Sequence, residues 1–441
     1  MRSRLIAFAA TCALGLAAAG GSSASAAGPP ADLGHQVLPA DDGWAAFSTG
    51  TTGGSAADDA HVFTVTNRQE LVDALGGNNK TNGTNATPKI ILVQGTIDGN
   101  VDDANQPLPC SAYQDPAFTL DAYLAAFDPA VWGIRKVSGP LEDARHRSEQ
   151  NQAARMQIRV GPNTTIVGVG DDARMIGVNL LVQNVDNVIV RNLDFQNAFD
   201  CFPQWDPTDG SSGNWNSAFD NVSLTGGTHV WVDHDSFSDG DMPDSQSPTF
   251  FGRPFEQHDG ELDITKGADL VTVEWSTFRE HDKTMLIGSS DNSPGDVGKL
   301  RVTLHHNLFD GVLERAPRVR FGQVHVFNNL YVVPDATAYV YSWGVGVESQ
   351  TFAQNNFFAT VPGVDPSRFI TVFKGTQIHA EGTLVNGVSR HDEVDVVAAY
   401  NAANGTALSG DVGWTPTLFR RIDPAQAVPA LVAIFAGPGR L

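Results

Sequence analysis

The sequence is poor in cysteine and in positive charge, and past its N-terminus it has no apolar run long enough to cross a bilayer. Its three cysteines, Cys12, Cys110 and Cys201, show no CxxC and no metal-ligand spacing, which removes most support for thiol redox enzymes. Lys and Arg number 28 against 50 Asp and Glu, a net charge of −22. A nonspecific nucleic-acid binder needs a basic footprint, and docking on anionic lipid needs a basic patch, so both classes are disfavoured. There is no HExxH, no GxSxG and no GxxxxGK[ST], so zinc proteases, serine hydrolases of that type and P-loop NTPases lose their support. The 44 glycines follow no G-X-Y period, which excludes collagen. What is present is a 41% hydrophobic content, sufficient for a core and incompatible with global disorder. Low Lys with abundant Gly, Asn, Asp and Val leans toward an all-β, turn-rich protein.

The N-terminus reads as a secretory leader. Met1-Arg2-Ser3-Arg4 is a basic start, Leu5 to Ala19 is apolar and uncharged, and Ala24-Ser25-Ala26 is a small-x-small cleavage signal. Residues 1–26 are therefore expected to be removed, leaving residues 27–441 as one exported domain. The leader holds Arg2 and Arg4 and no acid, so the remainder carries 26 basic against 50 acidic residues, net −24. Cys110 and Cys201 remain and are free to pair in an oxidising exterior. Nothing in the sequence says whether they meet in space.

An eight-residue pattern recurs along the chain. It reads V-I-V-R-N-L-D-F from Val188, V-W-V-D-H-D-S-F from Val230, V-T-V-E-W-S-T-F from Val271, V-T-L-H-H-N-L-F from Val302, V-H-V-F-N-N-L-Y from Val324 and T-F-A-Q-N-N-F-F from Thr351. The starts are 42, 41, 31, 22 and 27 residues apart. Positions one and three alternate as in a short strand. Position eight is always aromatic, and position six is Asn in the last three copies, Asn307, Asn329 and Asn356. A unit of about 22 residues fits one rung of a solenoid, with longer gaps as rungs that carry loops. The expected fold is a parallel β-helix with stacked aromatics inside and an Asn ladder at a turn. The L-x-x-L-x-L rhythm of leucine-rich repeats is absent, and a propeller would need longer, regular blades. Insertions fall in the early rungs, so residues from about 198 to 300 are expected to hold the functional loops. His61 to Gly77 reads as a strand and short helix capping the N-terminal end. The chain after Arg390 loses the repeat and is expected to pack back along the solenoid. Capped ends predict a monomer.

Within the inserted rungs, Asp220, Asp259 and Asp263 offer hard oxygen ligands of the kind Ca²⁺ takes, or else simply solvated turn acids. Two basic clusters answer them: His281-Asp282-Lys283-Thr284-Met285, and Glu314-Arg315-Ala316-Pro317-Arg318-Val319-Arg320. Clustered Arg beside a carboxylate loop, in a Lys-poor chain, points to an anionic ligand. His305, His306 and His325 fall in repeat strands and are read, with Asp233 and His234, as packed polar partners.

Four segments in order, V-W-V-D-H-D-S-F (230–237), H-D-G-E-L-D-I (258–264), H-D-K-T-M-L-I-G (281–288) and E-R-A-P-R-V-R-F-G-Q-V-H-V-F-N-N (314–329), resemble the pectate lyase family. The resemblance runs from about Val62 to the end. It implies a secreted, right-handed parallel β-helix that cleaves de-esterified homogalacturonan by Ca²⁺-dependent β-elimination. By position, Asp220, Asp259 and Asp263 would be calcium ligands, Lys283 and Arg320 would bind substrate carboxylates, and Arg315 would remove the C5 proton. One departure stands out: some members carry a further Asp two residues before the equivalent of Asp220, where this chain has Ala218. A bacterial subset also lacks it, so the resemblance implies an intact primary site and leaves secondary calcium positions open.

The chemistry suits these residue types. Abstracting a proton α to a carboxylate adds charge to an anion, and a divalent cation with fixed positive side chains would stabilise it. A guanidinium has a pKa of roughly 12.5–13.8, so Arg315 as a base requires neighbouring cations to depress it and predicts an alkaline optimum. The same fold also serves calcium-independent pectin lyases and non-catalytic carbohydrate binders. The three Asp favour a pectate lyase over the former, and Lys283, Arg315 and Arg320 beside them favour an enzyme over the latter. The N-T-D and G-H-G signatures of hydrolytic polygalacturonases are missing.

Overall fold

Alternating valines in short strands, punctuated by residues that accept a left-handed backbone, wind this chain into rungs. The computed structural model describes residues 32–441, so the leader assigned to residues 1–26 lies outside them. Each full rung gives one strand to each of three parallel sheets of ten, eight and nine strands. Asn179–Gln183, Asp186–Arg191 and Asp194–Gln196 make up one such rung. The architecture is a right-handed parallel β-helix, as expected.

The repeat is the register. Val188, Val230, Val271, Val302, Val324 and Thr351 pair directly across consecutive strands of the ten-stranded sheet. Position eight forms a continuous internal stack, Phe195–Phe237–Phe278–Phe309–Tyr331–Phe358, with centroid separations of 5.3, 4.9, 5.0, 5.0 and 4.5 Å and near-parallel rings. Each such pair contributes roughly 0.5–1.5 kcal/mol beyond its buried area.

Position six is the ladder. The Asn307 and Asn329 backbone N–H groups donate to the side-chain oxygens of Asn329 and Asn356 at 2.9 and 3.0 Å. The ladder runs further than the three Asn: Ser276 N–H donates to Asn307, Asp235 N–H to Ser276 and Leu193 N–H to Asp235. The left-handed turn itself sits one residue earlier, at Asn192, His234, Trp275, His306, Asn328 and Asn355, all with φ between 46° and 57°. Three of those six are not Asn. The strain of a positive φ, which Asn tolerates best, is offset there by the ladder and by ring stacking, as between Trp275 and His306 at 4.2 Å.

Both ends are closed. At the N-terminal end, strand Val62–Val65 leads into helix Arg68–Leu75. Asn67 caps it by accepting from Glu70 N–H, and Glu70 accepts from Thr66 N–H. The helix buries Leu71 and Leu75 on the end of the core. After Arg390 come two helices, Val396–Asn404 and Val428–Phe435. The tail then runs back along the solenoid: Asn355 and Asn328 donate to the Asp423 carbonyl, Gly437 N–H to the Trp275 carbonyl, and Gly439 N–H to Asn192.

A second core lies outside the solenoid, and the repeat did not announce it. Helices Leu120–Phe127 and Pro140–Met156 join loops from the 199–219 and 239–258 insertions. They bury Tyr123, Phe127, Phe202, Trp205, Trp215 and Phe255 together. Cys110 and Cys201 are disulfide-bonded, with Cα atoms 5.5 Å apart, and tie this lobe to the turn after strand Asp194–Gln196. Among the described residues no helix is long and apolar enough to cross a membrane.

Candidate functional site

The predicted site residues lie on or beside the strands of one sheet, Asp263 within a strand and the others in the segments that flank them. Strands Val222–Thr225, Leu262–Thr265, Leu286–Ile287 and Arg318–Val319 are consecutive in the eight-stranded sheet. Their Val222, Leu262, Ile287 and Val319 side chains point into the core. The alternation turns Ser223 and Asp263, paired across the first two strands, to the outer face. Asp220 lies two residues before the first strand, and Lys283 pairs with Glu314 just before the third and fourth.

Asp220 and Asp263 are buried, each 9% exposed. Burial, then repulsion from Asp263 and Asp259, pushes the Asp220 carboxyl well above its ordinary range. Asp263 is pushed up to about 7 by burial and by Asp259. Partners hold their orientation: Ser223 Oγ and Gly260 N–H donate to Asp220, and Leu286 N–H donates to Asp263. Gly260 makes the approach possible. A Cβ there would lie 2.4 Å from Asp263 Oδ1 and 3.1 Å from Asp220 Oδ1. Carboxyl groups that repel one another beside a glycine form a hard-oxygen donor set that fits a divalent cation. Two other groups bring three potential ligand atoms within 4.8 Å of one another, Asp239 with Asp244 and His258, and Asp42 with Glu274 and His305. The three site carboxylates are not gathered that tightly.

The cations carry their own acids. Lys283 is buried and ion-paired with Glu256. Burial opposes its charge, but Glu256 and Asp259 outweigh that and raise its pKa. Arg320 donates from Nε to Asp291 at 2.8 Å and from Nη1 to the Gly288 carbonyl at 2.9 Å. Arg315 adopts φ 59°, a costly left-handed backbone for this residue type, and donates from Nε to Glu314 at 3.1 Å. The sequence led us to expect cations depressing Arg315. The structure surrounds it instead with carboxylates: burial lowers its pKa, but Glu314, Asp259 and Asp263 carry it above the ordinary value.

Several supporting contacts escaped the sequence reading. Glu256 and Asp291 are partners whose positions no motif marked. His281 bridges Asp239, at 2.9 Å from Nδ1, and the Asp259 carbonyl, at 2.6 Å from Nε2, so it orients the Asp259 loop. At the Ala218 departure, the Ala218 amide donates to Asp200, a carboxyl that burial pushes up to about 7. His306, Asp233 and His234 are buried and hydrogen-bonded, and His305 is buried with a hydrogen bond from one ring nitrogen, as expected, whereas His325 is buried by ring packing against Phe327 and Phe352. A cavity of about 570 Å³ lined by Lys299, Arg301, Phe321, Gln323 and Glu348 contains none of the predicted residues.

Comparisons with known proteins agree with the fold and name the family. The pectate lyase family model matches residues 134–392. A pectate lyase from Bacillus subtilis (strain 168) is 48% identical over 432 residues, 97% of each chain. Among solved structures, a thermostable pectate lyase superposes with a TM-score of 0.91 at 50% identity, over 93% of this chain and 100% of that one. A pectate lyase bound to a hexasaccharide superposes at 0.87 with 48% identity and the same coverage. The sequence motifs, the β-helix and these matches over nearly the whole chain place it in the pectate lyase family, and it is a polysaccharide lyase.

Proposed function

We propose that this chain cleaves de-esterified homogalacturonan by β-elimination, with Ca²⁺ held by Asp220, Asp259 and Asp263. The observation that carries the reading is the clustering of three carboxylates and three cationic side chains on and beside the ends of four consecutive strands of one sheet. The relative solved with a hexasaccharide supports an oligosaccharide substrate. An acidic chain of net charge −22 repels a polyanion, so recognition requires local positive charge. Ca²⁺ held by Asp220, Asp259 and Asp263 would supply such charge and would favour the anion that forms when the α-proton leaves.

The side chains do the rest. Lys283 and Arg320, each oriented by its acid partner, bind galacturonate carboxylates and fix the sugar in register. Arg315, once deprotonated, takes the C5 proton on a guanidine nitrogen. The C5–H electron pair becomes the C4–C5 double bond, the C4–O4 bond breaks, and the leaving oxygen takes a proton from solvent. Glu314, Asp259 and Asp263 hold the resting Arg315 charged, so neutralising these acids is what frees it to act as a base. The leader and the capped ends support an exported monomer.

Mass spectrometry of polygalacturonate digests tests the reaction class. Elimination predicts new non-reducing ends one water lighter than those of hydrolysis. Ends that carry the water would overturn the assignment.

A further inference from the structure

We infer that Asp42, Glu274 and His305 form a second cation site, for a borderline first-row divalent ion of the Zn²⁺ class, on the ten-stranded sheet and apart from the strands that carry the candidate calcium ligands. Glu274 and His305 end adjacent strands and pair directly in register. Asp42 arrives from the N-terminal segment, which is pinned to the same strands: Thr272 Oγ1 donates to the Asp42 carbonyl at 3.1 Å, and Ala45 and Trp44 N–H donate to Thr272 and Thr303. One oxygen from each acid and one His305 nitrogen lie within 4.8 Å of one another.

The second observation is His305 itself. It is 4% exposed, and its Nε2 makes no hydrogen bond. That nitrogen points between the two acids, 3.2 Å from Glu274 Oε2 and 3.4 Å from Asp42 Oδ1. Tetrahedral ligands at about 2.0–2.1 Å from a metal stand about 3.3–3.4 Å apart, which matches both edges. A nitrogen donor beside two carboxylates favours Zn²⁺ over Ca²⁺, which takes oxygen ligands.

The outer partners set the tautomer that such a site requires. His306 Nε2 faces Asp423 Oδ2 at 3.3 Å and donates to it. His306 Nδ1 is then an acceptor and takes the proton of His305 Nδ1 at 2.9 Å. His305 Nε2 is left with a lone pair toward the acids, the carboxylate–histidine relay typical of metal ligands. Trp231 Nε1 donates to Glu274 Oε1 at 2.7 Å and leaves Oε2 for the ion. An open pocket of about 340 Å³, lined by these three residues and flanked by Arg420 and Arg421, provides an entry path.

Equilibrium dialysis of the protein against Zn²⁺ in saturating Ca²⁺, with X-ray absorption of the bound ion, tests the site. One Zn²⁺ per chain with a single imidazole in its shell is expected. Affinity should fall at least 100-fold in Glu274→Gln, which keeps the Trp231 bond, and in His305→Phe, which extends the His305–Phe327 ring stack. Asp263→Asn should bind Zn²⁺ like the parent. No Zn²⁺ retained, or retention unchanged in both variants, would overturn the inference and leave His305 as an imidazolium paired with two acids.

Discussion

Replacing Gly260 by alanine isolates the calcium site from the fold. The new Cβ would stand 2.4 Å from Asp263 Oδ1 and 2.9 Å from its Cγ, against an ordinary contact of 3.4–4 Å. Asp263 must therefore withdraw by about 1 Å, whereas metal–ligand distances hold to about ±0.2 Å. The obstruction is the end of a flexible side chain, and Gly260 does not need a left-handed backbone. The cost to stability is that of one displaced rotamer, about 0.5–1.5 kcal/mol. The cost to calcium is larger, because displacing a ligand through its supporting residue typically weakens a site by about 10–100-fold. A Ca²⁺ titration of unsaturated-product absorbance should show the midpoint shifted by that factor, with the rate largely recovered at high Ca²⁺ and the melting curve little changed. An unmoved midpoint at full activity would refute the placement of the ion beside Asp263.

Arg315→Lys should abolish turnover while the dissociation constant for oligogalacturonate stays within a few-fold, and the parent should work best at alkaline pH; substantial residual rate, or full activity at acidic pH, would remove Arg315 as the base. His325 is buried without hydrogen-bond partners, and burial pushes its pKa down to about 3. Its folded form stays neutral while the unfolded form protonates below about 6.5, so stability is lost as pH falls; at pH 5 the loss is about 2 kcal/mol, and a denaturant titration of His325→Leu should show that much less acid sensitivity. Asn329→Ala removes a side chain that accepts from the Asn307 backbone and side chain and donates to the Leu304 carbonyl and to Asn356. It should cost about 2–4 kcal/mol in unfolding free energy, and a cost below about 1 kcal/mol would show that the ladder is not cooperative.

The solenoid was legible because its physics repeats at a short range. Alternating valines, a terminal aromatic and a ladder residue recur within eight positions, and stacking turns each recurrence into a contact. The turn was harder to read. Its left-handed residue is His234, Trp275 or His306 in half of the copies compared, where stacking and the neighbouring ladder override the usual preference for Asn. The outer lobe gave least. Helix Pro140–Met156 buries Glu142, Arg145, Ser148 and Gln152 alongside Ala144 and Met156, so hydrophobic periodicity has little to detect; its hidden face is held by Arg145 donating to Glu142, Glu149 and the Phe202 carbonyl. The candidate site was legible as residue types in motifs. Its pairing was not, because Glu256 and Asp291 reach Lys283 and Arg320 from 27 and 29 residues away along the chain. The direction of the Arg315 shift also depends on neighbours that only the fold brings together.

Ultraviolet absorbance during digestion of polygalacturonate, measured with added CaCl₂ and then with excess EDTA, tests calcium-dependent elimination most directly. Elimination creates a C4–C5 double bond conjugated to the carboxylate, so absorbance should rise with Ca²⁺ and stop rising on chelation. A rise indifferent to EDTA, with equal or better activity on methyl-esterified pectin, would contradict the calcium assignment of Asp220, Asp259 and Asp263; no rise at all would contradict elimination itself.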